Sequence, residues 1–179
     1  GGDHWQKIND KPGIGNRPFY YSDLFVDPQN ENRVYTVFTY VNVSEDGGRS
    51  FKELMPAYNA NNGVHPDHHA WWIHPQDGSF IIDGNDGGLN ISRDAGTSWR
   101  FVGNIPVGQF YHVNEDNEYP YNVYGGMQDN GSWRGPAYVW KAQGIRNSYW
   151  QEIAFGDGFD VVPDRDDSRY GYAMSQQGN

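Results

Sequence analysis

The stretches 44-SEDGGRSF-51 and 92-SRDAGTSW-99 follow one pattern, in which Ser, Asp, Gly and Ser alternate with variable residues before an aromatic residue. A carboxylate two residues before a glycine can accept N–H bonds inside a turn, and the glycine can adopt a positive φ. Repetition along a chain suits a scaffolding role better than a single active centre. We therefore predict that Asp46 and Asp94 stabilise turns. The residues assigned to this structural role are Ser44, Asp46, Gly48, Ser50, Phe51, Ser92, Asp94, Gly96, Ser98 and Trp99.

A longer repeat surrounds these turns. An aromatic residue followed three positions later by an aliphatic one recurs at intervals of roughly 40–50 residues, the period of a β-propeller blade. Two alternating, β-branched or aromatic runs precede the later copies, so each unit is predicted to contain four short antiparallel strands. The recurring stretches are 5-WQKI-8, 51-FKEL-54, 99-WRFV-102 and 150-WQEI-153.

The eight-residue pattern resembles the Asp box, or BNR repeat, of sialidase-like, sortilin-like and xyloglucanase-like β-propellers. Two copies match at every signature position, 2-GDHW-5 fits the last half of a third, and the copy before Trp150 is degenerate. Beyond the box, several stretches look like a bacterial family of large secreted BNR-repeat proteins that carry glycosyl hydrolase or sortilin-type labels. Those stretches are 65-HPDHHAWWIHP-75, 84-GNDGGLNISRDAGTSW-99, 108-GQFYHV-113, 125-GGMQDNGSWRGP-136 and 156-GDGFDVVPD-164.

The fold class expected from the repeat and the resemblance is all-β, a partial β-propeller of about four four-stranded blades with Asp boxes, cut from a longer chain. Residues 1–179 would form part of one propeller domain, with blade units ending near residues 8, 54, 102 and 153 and the last blade incomplete. The remaining blades of the same protein would be its first partner. The resemblance also implies an extracellular or cell-surface location, secreted and bacterial.

Composition excludes several classes of function. The formal net charge of -10 and the absence of any Lys/Arg run argue against nucleic acid as a partner. No apolar run is long enough for a membrane span. The chain has no cysteine, which rules out disulfides, cysteine-bound zinc and thiol catalysis. Aromatic residues make up 16% of the chain and glycine 23 residues, a composition that favours β-structure with tight turns.

The polar, glycine-flanked clusters of the chain fall where a ligand site is expected. In a four-stranded blade, the turns between the second and third strands and the connections between blades share the end opposite the Asp boxes. That end is predicted to bind a carbohydrate or protein ligand, in the leading hypothesis for function. The candidate ligand-binding residues are His65, Asp67, His68, His69, Asp83, Asn85, Asp86, Gln128, Asp129, Asn130, Trp133 and Asp157.

A metal ion is a weaker alternative at 65-HPDHH-69, because His and Asp side chains suit divalent ions. His68 and His69 would point to opposite faces of a strand and could not both bind one ion. Asp67 and His69 share a face and are the pair to test. No cofactor is assigned from the sequence.

Calcium is a further alternative, since Asp83, Asp86 and Asp129 could supply oxygen ligands. The same residue types also shape turns beside glycines.

Two rival functions remain open. A glycoside hydrolase acting on a polysaccharide would need paired carboxylates, for which the candidates are Asp86, Asp129, Asp157 and Asp160. A sortilin-like peptide-binding or structural assembly module would use the same end as an interaction surface. Whether the protein is an enzyme is left open by the sequence.

The segment 132–150 departs from the repeat. Where an Asp box is expected, it carries aromatic residues, a proline and the cations Arg134, Lys141 and Arg146. An irregular loop that replaces a regular hairpin is typical of a functional site or an interface. Trp140 could stack on a sugar ring or pack in the fold.

Overall fold

The chain divides into two compact units, Gly1–Ile105 and Pro106–Asn179. The structure is a computed structural model that describes residues 2–55 and 63–179. Within those residues, regular structure is almost entirely β-strand, and none of their helices has the length and apolar character needed to cross a membrane.

The first unit begins with a four-stranded antiparallel sheet in the order β1-β2-β3-β4. Its inner strands are rich in β-branched and aromatic residues, which suit a pleated and buried surface. Tyr35, Val37 and Val41 are almost completely buried there. The strands are β1 (Asp23–Asp27), β2 (Asn30–Val37), β3 (Val41–Ser44) and β4 (Lys52–Met55).

A second sheet of the same order, β5-β6-β7-β8, completes the first unit. The hydrophobic core of this unit lies between its two sheets. The Trp71 ring lies 5.2 Å from the Tyr35 ring and 5.6 Å from the Trp99 ring. The strands are β5 (His68–His74), β6 (Asp77–Asn85), β7 (Gly88–Ser92) and β8 (Arg100–Phe101). The core residues are Tyr35, Val37, Val41, Val43, Met55, Val64, Trp71, Ile73 and Ile81.

The second unit contains a four-stranded sheet, in the order β12-β11-β10-β9, and a two-stranded hairpin. Short 3-10 helices cover 147–149 and 176–178. The sheet consists of β9 (Phe110–Glu115), β10 (Asn122–Met127), β11 (Ser132–Pro136) and β12 (Gln151–Ala154), and the hairpin of β13 (Gly158–Pro163) and β14 (Gly171–Ser175).

The hairpin packs closely on the sheet of the second unit. A Cβ added at Gly126 would collide with the backbone nitrogen of Phe159, and one added at Gly158 would collide with the Gly131 carbonyl. Glycine therefore allows strands β10 and β13 to approach backbone to backbone. Asn114 also links β9 to β13, because its side-chain Nδ2 donates to Asp160 Oδ1 at 2.8 Å.

The turn between β3 and β4 is held by Asp46. Its Oδ1 accepts hydrogen bonds from the Ser44 hydroxyl at 2.8 Å and from the Ser50 amide at 2.9 Å, while Oδ2 accepts from the Ser50 hydroxyl at 2.6 Å. Gly48 has a φ of 87° and donates its N–H to Ser44 Oγ. The hydrogen bonds that Asp46 accepts hold the pKa of its carboxyl group far below the ordinary value, and those from Ser50 have the largest effect.

The turn between β7 and β8 repeats this geometry around Asp94. Its Oδ1 accepts from the Ser92 hydroxyl and the Ser98 amide, both at 2.8 Å, and Oδ2 accepts from the Ser98 hydroxyl at 2.6 Å. The Trp99 indole donates to the Gly96 carbonyl at 3.1 Å and packs against the core. Each carboxylate therefore ties its own bend.

Three antiparallel meanders and a hairpin, all of β-strands, confirm the predicted fold class of a partial β-propeller. One predicted strand is wrong: residues 5–8 form no strand, and the Trp5 side chain is 90% exposed. No strand among the described residues pairs with this stretch, so its aromatic-to-aliphatic spacing has no sheet to join.

Several residues expected in turns or connections lie inside strands: His68 and His69 begin β5, and Asn85 ends β6. Asp83 lies inside β6 instead of the following turn, and Asp160 lies inside β13 instead of the preceding connection. In both cases neighbouring Gly, Asn and Asp residues suggested a turn, whereas sheet pairing extends through them.

Candidate functional site

In the first unit, the connection leading into β5 meets the turns of both sheets. The Asp67 amide donates to the Thr39 carbonyl at 3.1 Å, and the His68 amide donates to the Phe38 carbonyl at 2.9 Å. The Asp86 amide donates to the Asp67 carbonyl at 3.2 Å. The connection and the second-to-third-strand turns therefore converge at one end of the unit, as strand order requires, opposite the Asp46 and Asp94 turns.

Asp67 occupies a strained position in this connection. Its φ is 63°, in the left-handed region that non-glycine residues rarely adopt. The Tyr21 hydroxyl donates a hydrogen bond to Asp67 Oδ1 and shares another, of 2.8 Å, with Thr39 Oγ1. Burial raises the pKa of Tyr21, and the bond to Asp67 raises it further. The phenol is therefore a fixed proton donor to the carboxylate.

His69 and Asp86 form a second pair at the same end. His69 Nε2 lies 3.0 Å from Asp86 Oδ1, and both side chains are partly exposed. The His69 ring lies 4.8 Å from the Tyr21 ring and 5.6 Å from the Tyr20 ring. We call Tyr20, Tyr21, Asp67, His69 and Asp86 the Tyr–His–Asp cluster.

Arg17 adds a cation beside this cluster. Its guanidinium carbon lies 5.1 Å from the centre of the Tyr20 ring and 5.2 Å from that of Tyr21. Both distances are within the range of cation–π attraction. Sequence reasoning missed Arg17, Tyr20, Tyr21 and Thr39; the aromatic run 19-FYY-21 was the signal available for them.

A buried pair lies beneath the cluster. His68 Nδ1 is 2.8 Å from Asp83 Oδ1, and the Asn85 side-chain Nδ2 donates to Asp83 Oδ2 at 2.8 Å. Asp83 is fully buried and His68 nearly so. Both Asp83 oxygens are therefore occupied by protein groups, which suits a role in fixing the loops above rather than in touching a ligand.

His65 packs over the turn between β6 and β7. The His65 Nδ1 lies 2.9 Å from the Pro66 carbonyl oxygen. A Cβ added at Gly87 would lie 2.6 Å from the Cβ of His65. Asn85 Oδ1 accepts the Gly87 N–H at 3.0 Å, which shapes the same turn. His65 is thus a neighbour of the Asp86 turn.

Carboxylate oxygens of Asp67 and Asp86 lie within 4.8 Å of each other. Two carboxylates at that separation could hold a cation with oxygen ligands or serve as a catalytic pair. Of the predicted metal pair, Asp67 accepts a hydrogen bond from Tyr21 and His69 lies against Asp86. Asp67 also precedes β5, so the same-face argument for that pair does not apply.

The second unit has a polar turn of its own between β10 and β11. The Asp129 amide donates to Asp157 Oδ1 at 3.0 Å, and Asp129 has a φ of 58°. Gln128 Oε1 accepts from the Tyr111 hydroxyl at 2.8 Å. The Trp133 indole donates to the Asn130 carbonyl at 2.6 Å. The predicted residues of this unit therefore meet around one turn and one connection.

Asp160 and Asp116 of the second unit stabilise the fold. Asp160 Oδ1 accepts from Asn114 and from the Val161 amide. Asp116 is buried and accepts from the Tyr124 hydroxyl at 2.8 Å and from Asn122. Burial alone would raise the pKa of Asp116, but these hydrogen bonds outweigh it and the pKa lies below its ordinary value.

No protein-family model matches the chain, and no curated protein matches it. Solved structures that resemble it include an ancestral GH74 enzyme, at 19% identity over 97% of this chain and 23% of that chain, with a TM-score of 0.43. A GH74 xyloglucanase from Xanthomonas campestris shows 19% identity over 86% of this chain and 26% of that chain, with a TM-score of 0.37.

A third similar structure is YCF48 bound to D1 peptide, at 12% identity over 80% of this chain and 51% of that chain, with a TM-score of 0.33. The chain therefore spans about a quarter of the length of the two GH74 enzymes and about half that of YCF48.

Proposed function

We propose that this chain is part of a secreted or cell-surface Asp-box β-propeller that binds carbohydrate at the end opposite its Asp boxes. The observation that supports this function is the Tyr–His–Asp cluster of the first unit. It combines aromatic rings with two carboxylates at the meeting point of three loops.

The chemistry of the cluster suits a sugar. Aromatic faces stack on the C–H faces of sugar rings, while carboxylates and imidazoles exchange hydrogen bonds with sugar hydroxyls. Tyr20 is 62% exposed and supplies the open ring. Asp67 and His69 are held by Tyr21 and Asp86, so their polar atoms are ordered before a ligand arrives.

Substitution of Tyr20 tests the proposal. The Tyr20→Ala variant is expected to bind the recognised saccharide roughly tenfold more weakly, because a stacking ring at the centre of a site is worth about 1.4 kcal/mol or more. Affinity for a panel of polysaccharides would be measured by titration calorimetry. Tyr172→Ala, which removes an exposed ring from β14, is the matched control and should bind like the wild type.

A panel that shows no saturable binding by the wild-type protein would contradict the proposal. Equal losses in Tyr20→Ala and Tyr172→Ala would do so as well. Unchanged melting of Tyr20→Ala would establish that a weaker affinity reflects the site and not the fold.

A glycoside hydrolase is the second candidate, favoured by the separation of Asp67 and Asp86. One oxygen of each carboxylate lies within 4.8 Å of the other, so the two carboxyl groups are near enough to act on one glycosidic bond. Such an enzyme would release reducing ends from a polysaccharide and would lose turnover in Asp86→Asn with its fold intact. Binding without release of reducing ends would leave the carbohydrate-binding function and reject the hydrolase.

A further inference from the structure

The connection between β11 and β12 differs from its two counterparts in length and charge. It spans residues 137–150, whereas the equivalent connections span 45–51 and 93–99. Residues 137–150 carry Lys141 and Arg146 and no Asp or Glu, although the whole chain has a formal net charge of -10. We call residues 137–150 the aromatic loop.

Two aromatic side chains of the aromatic loop lie open to solvent. Trp140 is 78% exposed and Tyr138 is 51% exposed. Their ring centroids are 4.9 Å apart and their planes meet at 80°, so the edge of one ring packs on the face of the other. This contact holds the two rings together while leaving most of the indole available.

The aromatic loop is ordered by its own contacts. The Ala137 amide donates to the Tyr121 carbonyl, and the Gly144 amide donates to the Lys141 carbonyl, both at 3.0 Å. Trp150 packs so closely on Gly135 that a Cβ there would lie 2.5 Å from its ring. Both ends of the loop are therefore anchored, which lowers the entropy cost of binding.

The cations of the aromatic loop are not neutralised by nearby acids. Within residues 2–55 and 63–179, no ion pair joins Lys141 or Arg146 to a carboxylate. Arg146 donates instead to the side-chain carbonyl of Gln143. Two cations and an exposed indole on one loop of an acidic protein complement a ligand that is both acidic and ring-shaped.

We propose that the aromatic loop is a second binding site, which takes an acidic polysaccharide containing uronate residues. The indole of Trp140 stacks on a sugar ring, and Lys141 and Arg146 pair with uronate carboxylates. An acidic peptide satisfies the cations but offers no rigid ring for the indole. Nucleic acid is disfavoured by the overall negative charge.

The aromatic loop belongs to the second unit and shares no residue with the carbohydrate site proposed for the first unit. In the sheet of the second unit, the β11–β12 connection lies at the end opposite the turn between Met127 and Ser132. It is therefore remote from Asp129 and its polar neighbours within that sheet. Loss of one activity by mutation leaves the other testable.

The test is the affinity of the full chain for polygalacturonate, with galactan as the neutral polysaccharide and polyglutamate as the acidic peptide. Trp140→Ala and Lys141→Gln are each expected to weaken polygalacturonate binding roughly tenfold. Raised salt should weaken it as well, since the exposed charges are screened. The controls are Trp5→Ala and Lys7→Gln, which change an exposed tryptophan and an exposed lysine outside the loop.

Binding to polygalacturonate alone, lost in the loop variants and kept in the controls, supports the proposal. Failure of polygalacturonate to bind, or equal losses in loop and control variants, overturns it. If polyglutamate binds as tightly as polygalacturonate and its binding is weakened equally by Trp140→Ala, the ligand is an acidic peptide and the proposed polysaccharide is rejected. Tyr20→Ala should leave this affinity unchanged, which separates the two sites.

Discussion

At the scale of single residues, Asp94 accepts hydrogen bonds from the Ser92 hydroxyl and from the amide and hydroxyl of Ser98, all within one turn. Asp94→Ala is expected to lower the free energy of unfolding by about 1 kcal/mol, the scale of losing a helix N-cap, because the carboxylate is exposed and screened. Urea denaturation measures the change. Saccharide affinity should stay constant, and its loss with unchanged stability would contradict the structural role.

The same residue predicts a pH dependence. Hydrogen bonds, first from the Ser98 side chain, lower the pKa of Asp94 from the ordinary 3.8. Below that value the unfolded chain binds more protons than the folded one, so stability falls as the pH falls. The stability gap between wild type and Asp94→Ala should be full above pH 3.8 and shrink in stronger acid. Urea titrations across this range would contradict the assignment if the gap stayed constant.

Replacing Asp83 should destabilise the protein more than replacing Asp94, because the Asp83 carboxylate is buried. Asp83→Ala would leave His68 and Asn85 without their shared acceptor, and is expected to cost about 3 kcal/mol of unfolding free energy. Asp86→Ala, which changes a partly exposed carboxylate nearby, is the matched control and should cost far less. Similar small losses in both variants, measured by urea denaturation, would argue against the buried pair as a fixed support.

At the scale of strands, Gly126 allows β10 to lie against β13. A side chain at this position would meet the backbone nitrogen of Phe159, which cannot move aside as a flexible side chain can. Gly126→Ala is therefore expected to destabilise the protein by about 2 kcal/mol. Gly103→Ala is the control, because its added Cβ would meet only ordinary contacts at 3.4 Å. Equal unfolding midpoints in urea for the two variants would contradict this packing.

How far the strands could be predicted depends on what the local pattern encodes. Alternation in 33-RVYTVFTY-40 and 121-YNVYGG-126 indicates strands because it follows the pleat, and β2 and β10 lie there. Asp83 was misplaced because its Gly and Asn neighbours resemble a turn, whereas pairing with Trp71 and Asn90 extends the strand. Residues on neighbouring strands therefore decide where β6 ends, and the sequence around Asp83 does not reveal them.

The candidate site was predictable only in part for the same reason. Strand order places Asp67 and Asp86 at one end, and the structure joins them by a backbone hydrogen bond. Tyr20 and Tyr21 reach that end from a stretch before β1 that has no place in the repeat. Pairings such as Tyr21 with Asp67 depend on the path of that stretch, which periodicity does not encode.

At the scale of the whole molecule, hydrophobic burial is divided unequally between the two units. Of the fourteen buried hydrophobic residues within 2–55 and 63–179, twelve lie in the first unit, and Tyr124 and Val161 are those of the second. Apolar burial is the main favourable term in folding, so local opening should cost less in the second unit.

Native-state hydrogen exchange would test this difference. Amides of β2 and β6 are expected to exchange more than about tenfold slower than those of β10 and β13, once intrinsic rates are removed. Strands of both units have cross-strand partners, so hydrogen bonding alone would protect them equally. Slower exchange in the first unit would therefore report its larger core. Equal protection in the two units would show that they open together, and that the unequal burial does not govern local stability.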